Sequence, residues 1–246
     1  MSSQRHEIFS LHELLMMAAL AALGGATSSV VSMLRAAAHA LIVLPGGMQY
    51  LAGIHVLWLV LAVGLVRKPG AATVTALLKG GVELLSGSPH GLLVLLYSSF
   101  AGVSVDAVWL MLGGRDRPFA LFLAGGIGAA SNLFVLLYVA SLPAQDNVLT
   151  GLAVLAVVAF ISGGVLAGLL GWWLLQALGQ AGVVGAARHG PPLTARHRAW
   201  RGVTIMGVSV ALLWTAIFLA TSRHADVSGA NVALRGPGVG PTVLAP

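Results

Sequence analysis

A chain of 246 residues that is 58% hydrophobic and only 8% charged cannot be an ordinary soluble domain, which runs about 45–50% apolar and about 25% charged. The absence of cysteine excludes a disulfide framework and a thiolate metal site. The net charge of +6 gathers at the ends of apolar runs, where it acts as a topology signal rather than as a nucleic-acid footprint.

With a mean hydropathy of +0.94, the expected class is an all-α, polytopic membrane helix bundle. Near the N-terminus, Arg5, the apolar stretch from Leu14 to Leu23 and the small residues Gly24 to Ala26 imitate a secretory leader. The apolar run continues through Val30, Val31 and Met33, so segment 13–35 is read as a first transmembrane helix. Within it Ala18, Ala22 and Ala26 repeat at four-residue spacing, a stripe that lets helices approach closely in lipid. It serves packing within the bundle or docking onto a separate membrane partner. Segment 52–66 is short, with an alternative start near Leu41 interrupted at Pro45-Gly46-Gly47. Segment 71–86 is also short and holds "LKGGVELLSG", with Lys79 and Glu83 one helical turn apart. Segments 92–112, 119–142 and 149–176 follow, then a basic linker and a seventh segment, 202–221. The expected organisation is a six-helix domain over 1–190, a linker plus seventh helix over 191–222, and a disordered Gly/Pro-rich tail over 223–246.

Lys and Arg concentrate in short cytoplasmic loops. Arg67-Lys68, Arg115 with Arg117, and Arg188, Arg196, Arg198 and Arg201 follow segments two, four and six, whereas loops 36–51, 87–91 and 143–148 contain neither. Arg35 is the one exception. This alternation predicts a multi-pass protein of a prokaryotic plasma membrane with its N-terminus in the cytoplasm.

Ionisable residues inside a membrane are candidates for function. Counting about 1.5 Å per residue places Lys79 and Asp106 at similar depth, which predicts a structural ion pair between neighbouring helices, with Lys79–Glu83 as the alternative. The same count brings Glu83, Asn132, His55 and Tyr97 toward the outer face as a polar cluster suited to a small molecule, with Tyr50 as a further stacking candidate. Asn132 and His55 equally fit interhelical hydrogen bonds. Trp109, Trp172 and Trp173 read as interfacial anchors. No His/Glu/Asp spacing matches a zinc site, no G-x-x-x-x-G-K-[ST] stretch offers an ATP-binding loop, and no cofactor is expected. "SGSPHG" (86–91) reads as a turn rather than as a serine-protease centre.

Four stretches, "VRKPGAA" (66–72), "VELLSGSPHG" (82–91), "GVSVDAVWL" (102–110) and "ISGGVLAGLLG" (161–171), resemble the substrate-binding S components of energy-coupling factor (ECF) transporters, in particular the hydroxymethylpyrimidine/thiamine permease type. The resemblance covers roughly residues 10 to 190 in order. It implies a six-helix, non-enzymatic subunit that binds a vitamin or its precursor and works with a transmembrane coupling subunit and two cytoplasmic ATPases. It makes Ala18, Ala22 and Ala26 the docking stripe and Glu83 the acidic position of the third helix. Asp106 stands where the resemblance leads one to expect glutamate, Lys79 where a small residue is usual, and the seventh helix has no counterpart. The competing reading is a self-sufficient secondary transporter in which Lys79, Glu83 and Asp106 relay ions.

Overall fold

A computed structural model describes residues 8–38, 47–88, 91–139 and 146–182. The linker, seventh segment and tail expected over 191–246 therefore lie outside the described residues. Within them the chain is helical throughout: α1 (Leu11–Ala38), a 3-10 turn (Gly47–Leu51), α2 (Ala52–Val66), α3 (Ala71–Leu85), α4 (Leu93–Met111), α5 (Pro118–Val139), α6 (Asp146–Ser162), a π-helical stretch (Gly163–Leu169) and α7 (Leu170–Gln180).

Each helix starts and stops for a local reason. Ser10 and Glu13 form a reciprocal capping box at the head of α1: the Ser10 amide donates to Glu13 Oε2 at 2.7 Å, and the Glu13 amide donates to Ser10 Oγ at 3.3 Å. α2 ends where Arg67 enters the left-handed region, with φ of 54°, and its amide still bonds Val63 O. The guanidinium then reaches Gly64 O at 3.2 Å and Asp116 at 2.7 Å, which offsets that backbone strain. α3 has no side-chain cap of its own. Its first turn is closed by Asp106 of α4, whose carboxylate accepts from the Ala72 amide at 3.3 Å, the Thr73 amide at 2.8 Å and the Thr73 hydroxyl at 2.6 Å. The expected Lys79–Asp106 pair is thus corrected. Asp106 is fully buried against the head of α3 and spends its acceptors there, while Lys79 turns to Glu83.

α2 is apolar around its whole circumference and forms the middle of the bundle, in keeping with the rule that such helices are buried. Val56, Leu59, Val60 and Val63 are at most 1% exposed, and α2 as a whole touches every other helix from α1 to α7. Trp109 is also fully buried, beneath Gly114, so it is a core residue rather than an interfacial anchor. α5 meets the π-helical stretch with backbones almost touching. A side-chain carbon built at Gly163 would lie 2.3 Å from Gly125 O, so only glycine fits there.

Among the described residues, five spans are long and apolar enough to cross a membrane: Leu11–Met33, Gln49–Val66, Leu93–Met111, Pro118–Leu136 and Thr150–Gln180. The expected second and sixth helices extend to Gln49 and Gln180 respectively. α3, with 15 residues, covers only about 22 Å of the roughly 30 Å hydrocarbon layer. It is held inside the bundle by α1, α2 and α4. The protein is an all-α, multi-pass membrane protein.

Replacing Asp106 with Ala should orphan the first-turn donors of α3 and cost about 2–3 kcal/mol. Gly163→Val should cost about 1–3 kcal/mol through overpacking against an oxygen that cannot move aside. Both should lower the unfolding midpoint of the detergent-solubilised protein.

Candidate functional site

The basic turns collect at one end of the bundle. Lys68 bonds Glu13 at 2.7 Å, joining the head of α1 to the α2–α3 turn, and Arg67 bonds Asp116 at 2.7 Å, joining that turn to the α4–α5 turn. Arg115 and Arg117 are exposed beside them. Because consecutive helices alternate in direction, the 3-10 turn, the head of α2, the tail of α3 and the head of α4 gather at the opposite end.

A cavity of about 230 Å³ opens among these elements, with Lys79, Glu83, His55, Tyr97 and Asn132 in its lining beside Ser32, Gln49 and Ser98. Its walls are otherwise apolar, with Val56, Leu59, Val94 and Leu133 facing in. Polar groups set between apolar walls are the usual build of a small-molecule pocket, and this one is rich in them. A second hollow of about 210 Å³, edged by Ser29, Ser32, Ser86 and Ser88, shares Glu83 with the first.

α3 supplies the charged pair. Its Leu77, Leu78 and Leu85 are exposed on one side, and the 3.6-residue period turns Lys79 and Glu83 inward together. The two side chains form an ion pair and are only 4% and 11% exposed. Space for the lysine comes from α1: a carbon built at Gly24 would sit 3.1 Å from Lys79 Cδ and 2.9 Å from Trp58. His55 of α2 shares a 2.7 Å hydrogen bond between its Nδ1 and Ser28 Oγ of α1. Asn132 of α5 brings a buried side-chain oxygen that has no hydrogen-bond partner among the described residues. In a low-dielectric site such an orphan acceptor is costly until a donor arrives.

The structure therefore brings together Glu83, Asn132, His55 and Tyr97 as expected from depth, and adds Lys79. It leaves out Tyr50, whose side chain is 49% exposed and which does not line the cavity. Tyr50 contributes through its carbonyl, which accepts from the Ser162 hydroxyl at 2.7 Å, while Ser162 Oγ in turn accepts from the Gly53 amide at 3.1 Å. Ser162 so fastens the 3-10 turn and the head of α2. The lining hydroxyls of Ser32 and Ser98, and the space left by Gly24, were not singled out in the sequence because serine and glycine are common in membrane helices. Ala18, Ala22 and Ala26 are exposed in a row on the outer face of α1, while Met17, Ala21, Gly24 and Ser28 face inward. Among the described residues no group of three or more His, Cys, Asp or Glu could hold a metal ion.

Residues 12–132 match the family model described as the permease component of an ABC-type cobalt transport system. The chain is 30% identical over 151 residues to a Bacillus subtilis (strain 168) protein named as an HMP/thiamine permease, YkoE, covering 59% of this chain and 73% of that one. Its structure superposes on the crystal structure of an S component of an ECF transporter with a TM-score of 0.64, at 26% identity, over 79% of this chain and 95% of that one.

Removing one member of the buried pair should be worse than removing both. Lys79→Met alone should destabilise by about 3–5 kcal/mol, the cost of a lone buried carboxylate, and adding Glu83→Gln should recover much of that loss. Unfolding of the two variants in detergent checks the order.

Proposed function

Because the chain belongs to the substrate-binding S components of energy-coupling factor transporters, in the group of HMP/thiamine permeases, we propose that it captures thiamine, hydroxymethylpyrimidine or a similar vitamin precursor for import. The observation that carries this reading is the cavity that sets the Lys79–Glu83 pair and the orphan Asn132 oxygen among apolar walls, at the end remote from the basic turns. The basic turns face the cytoplasm of a prokaryotic cell, so the cavity opens outward and the N-terminus is inside. The Glu83 carboxylate accepts from the amino group of a pyrimidine ring, Asn132 takes a second donor, and Tyr97 lies against the ring.

The sequence contains no G-x-x-x-x-G-K-[ST] stretch, which supports import driven by other subunits. A transmembrane coupling subunit carries the force of two cytoplasmic ATPases. The exposed Ala18, Ala22 and Ala26 row suits its attachment, since small side chains allow close helix contact where lipid gives no hydrophobic drive.

Titration of the detergent-purified protein with thiamine and with hydroxymethylpyrimidine tests the capture step. Glu83→Gln should weaken binding of the true ligand by about tenfold or more, the worth of a hydrogen bond to a charged group. Unaltered binding in that variant removes Glu83 from the site. Ala22→Leu should leave binding intact and abolish uptake in cells that carry the coupling and ATPase subunits. Uptake into vesicles that contain this chain alone, driven by an ion gradient, would instead favour the self-sufficient secondary transporter.

A further inference from the structure

We propose that Lys79 makes this site selective for the uncharged form of its ligand class, so that the pocket takes a neutral aminopyrimidine in preference to a cationic one. The proposal rests on the reading above that the cavity binds a compound of the pyrimidine or thiamine type.

Among the described residues, Lys79 and Glu83 are the only Lys, Arg, Asp or Glu side chains that line the cavity, and they are bonded to each other. Asp106 does not alter this balance, because it is spent on the head of α3 and does not line the cavity. The fixed charges of the pocket therefore cancel. A cation that approaches Glu83 meets an ammonium one turn away on the same helix, and in a buried site that repulsion is poorly screened. Displacing the lysine is no remedy. Its stem is wedged beside Gly24 and Trp58, and the side chain is only 4% exposed, so the ammonium is held beside the Glu83 carboxylate.

The same pair suits a neutral ring well. An aminopyrimidine presents a donor and an acceptor side by side, the exocyclic amine and the adjacent ring nitrogen. Glu83 offers a charged acceptor, and Lys79 beside it a charged donor. Both hydrogen bonds are charge-assisted, and no net charge has to be buried to make them. Asn132, which also lines the cavity, is left for a second polar group of the ligand, such as a hydroxymethyl. Lys79 is thus a specificity-determining residue rather than only a counter-ion.

The test compares two probes, hydroxymethylpyrimidine and thiamine, whose thiazolium carries a permanent positive charge. Affinities are measured by calorimetry at mildly alkaline pH on the detergent-purified full chain. The wild type should bind the neutral probe about tenfold or more tightly than thiamine, and Lys79→Met should shrink that ratio by about tenfold or more, chiefly by improving thiamine. Because Lys79→Met leaves a buried carboxylate unpaired, the double variant Lys79→Met/Glu83→Gln provides a neutral, isosteric control. It should bind both probes weakly and with little discrimination. A wild type that prefers thiamine overturns the proposal without any variant. So does a ratio unchanged in Lys79→Met, which would make the lysine purely structural while leaving the capture function standing. If neither probe binds the wild type, the underlying assignment of ligand class falls together with the proposal.

Discussion

The arrangement of the bundle depends on one requirement, that a carboxylate buried in lipid must find its donors within the protein. Asp106 satisfies it by crossing from α4 to the first turn of α3, where no local side chain caps the helix. A negative group at the positive end of a helix dipole is favourable, and here it is protected from both water and salt. The bond does more than stabilise. α3 is too short to be positioned by its length, so its attachment to α4 sets how deep Lys79 and Glu83 lie and which way they point.

Much of this was legible in the sequence, and what escaped has a common cause. Among the described residues, apolar run lengths located the five long spans and the short α3 to within a few residues. Depth counting along alternating helices correctly gathered Glu83, Asn132, His55 and Tyr97, because residues near the same end of a tight bundle must be neighbours. Depth says nothing about direction around the helix axis, however. Nor does counting fix the level between helices: Asp106 reaches the Ala72 and Thr73 amides at the head of α3, whereas Gly80 beside Lys79 packs on Leu95 and Ser98, and the lysine took the partner on its own helix. Tyr50, next to the lining residue Gln49 in sequence, is half exposed and does not line the cavity. Ser10-x-x-Glu13 is a readable helix start that polarity alone would dismiss as a leader segment.

Small residues carry two opposite meanings on α1, and only the fold separates them. Ala18, Ala22 and Ala26 leave the outer face smooth, whereas Gly24, between them in sequence, leaves room inside for a lysine stem and an indole. A periodic stripe can be read from spacing. A glycine whose purpose is to accommodate one particular long side chain on another helix cannot, because that partner is known only once the helices are packed. Among the described residues the buried charges are likewise matched: Asp106 with donors of Ala72 and Thr73, and Lys79 with Glu83.

The wide-turned stretch from Gly163 to Leu169 also governs everything that follows it. Because its winding differs from that of the rods on either side, α7 begins with a rotational offset that a uniform helix would not have. That offset delivers Leu175 into the slot left by Gly64 on the central helix. Deleting a single residue from this stretch would turn the rest of the rod by about 100°. The leucine would swing out toward the acyl chains, and the central helix would lose the lid over its groove.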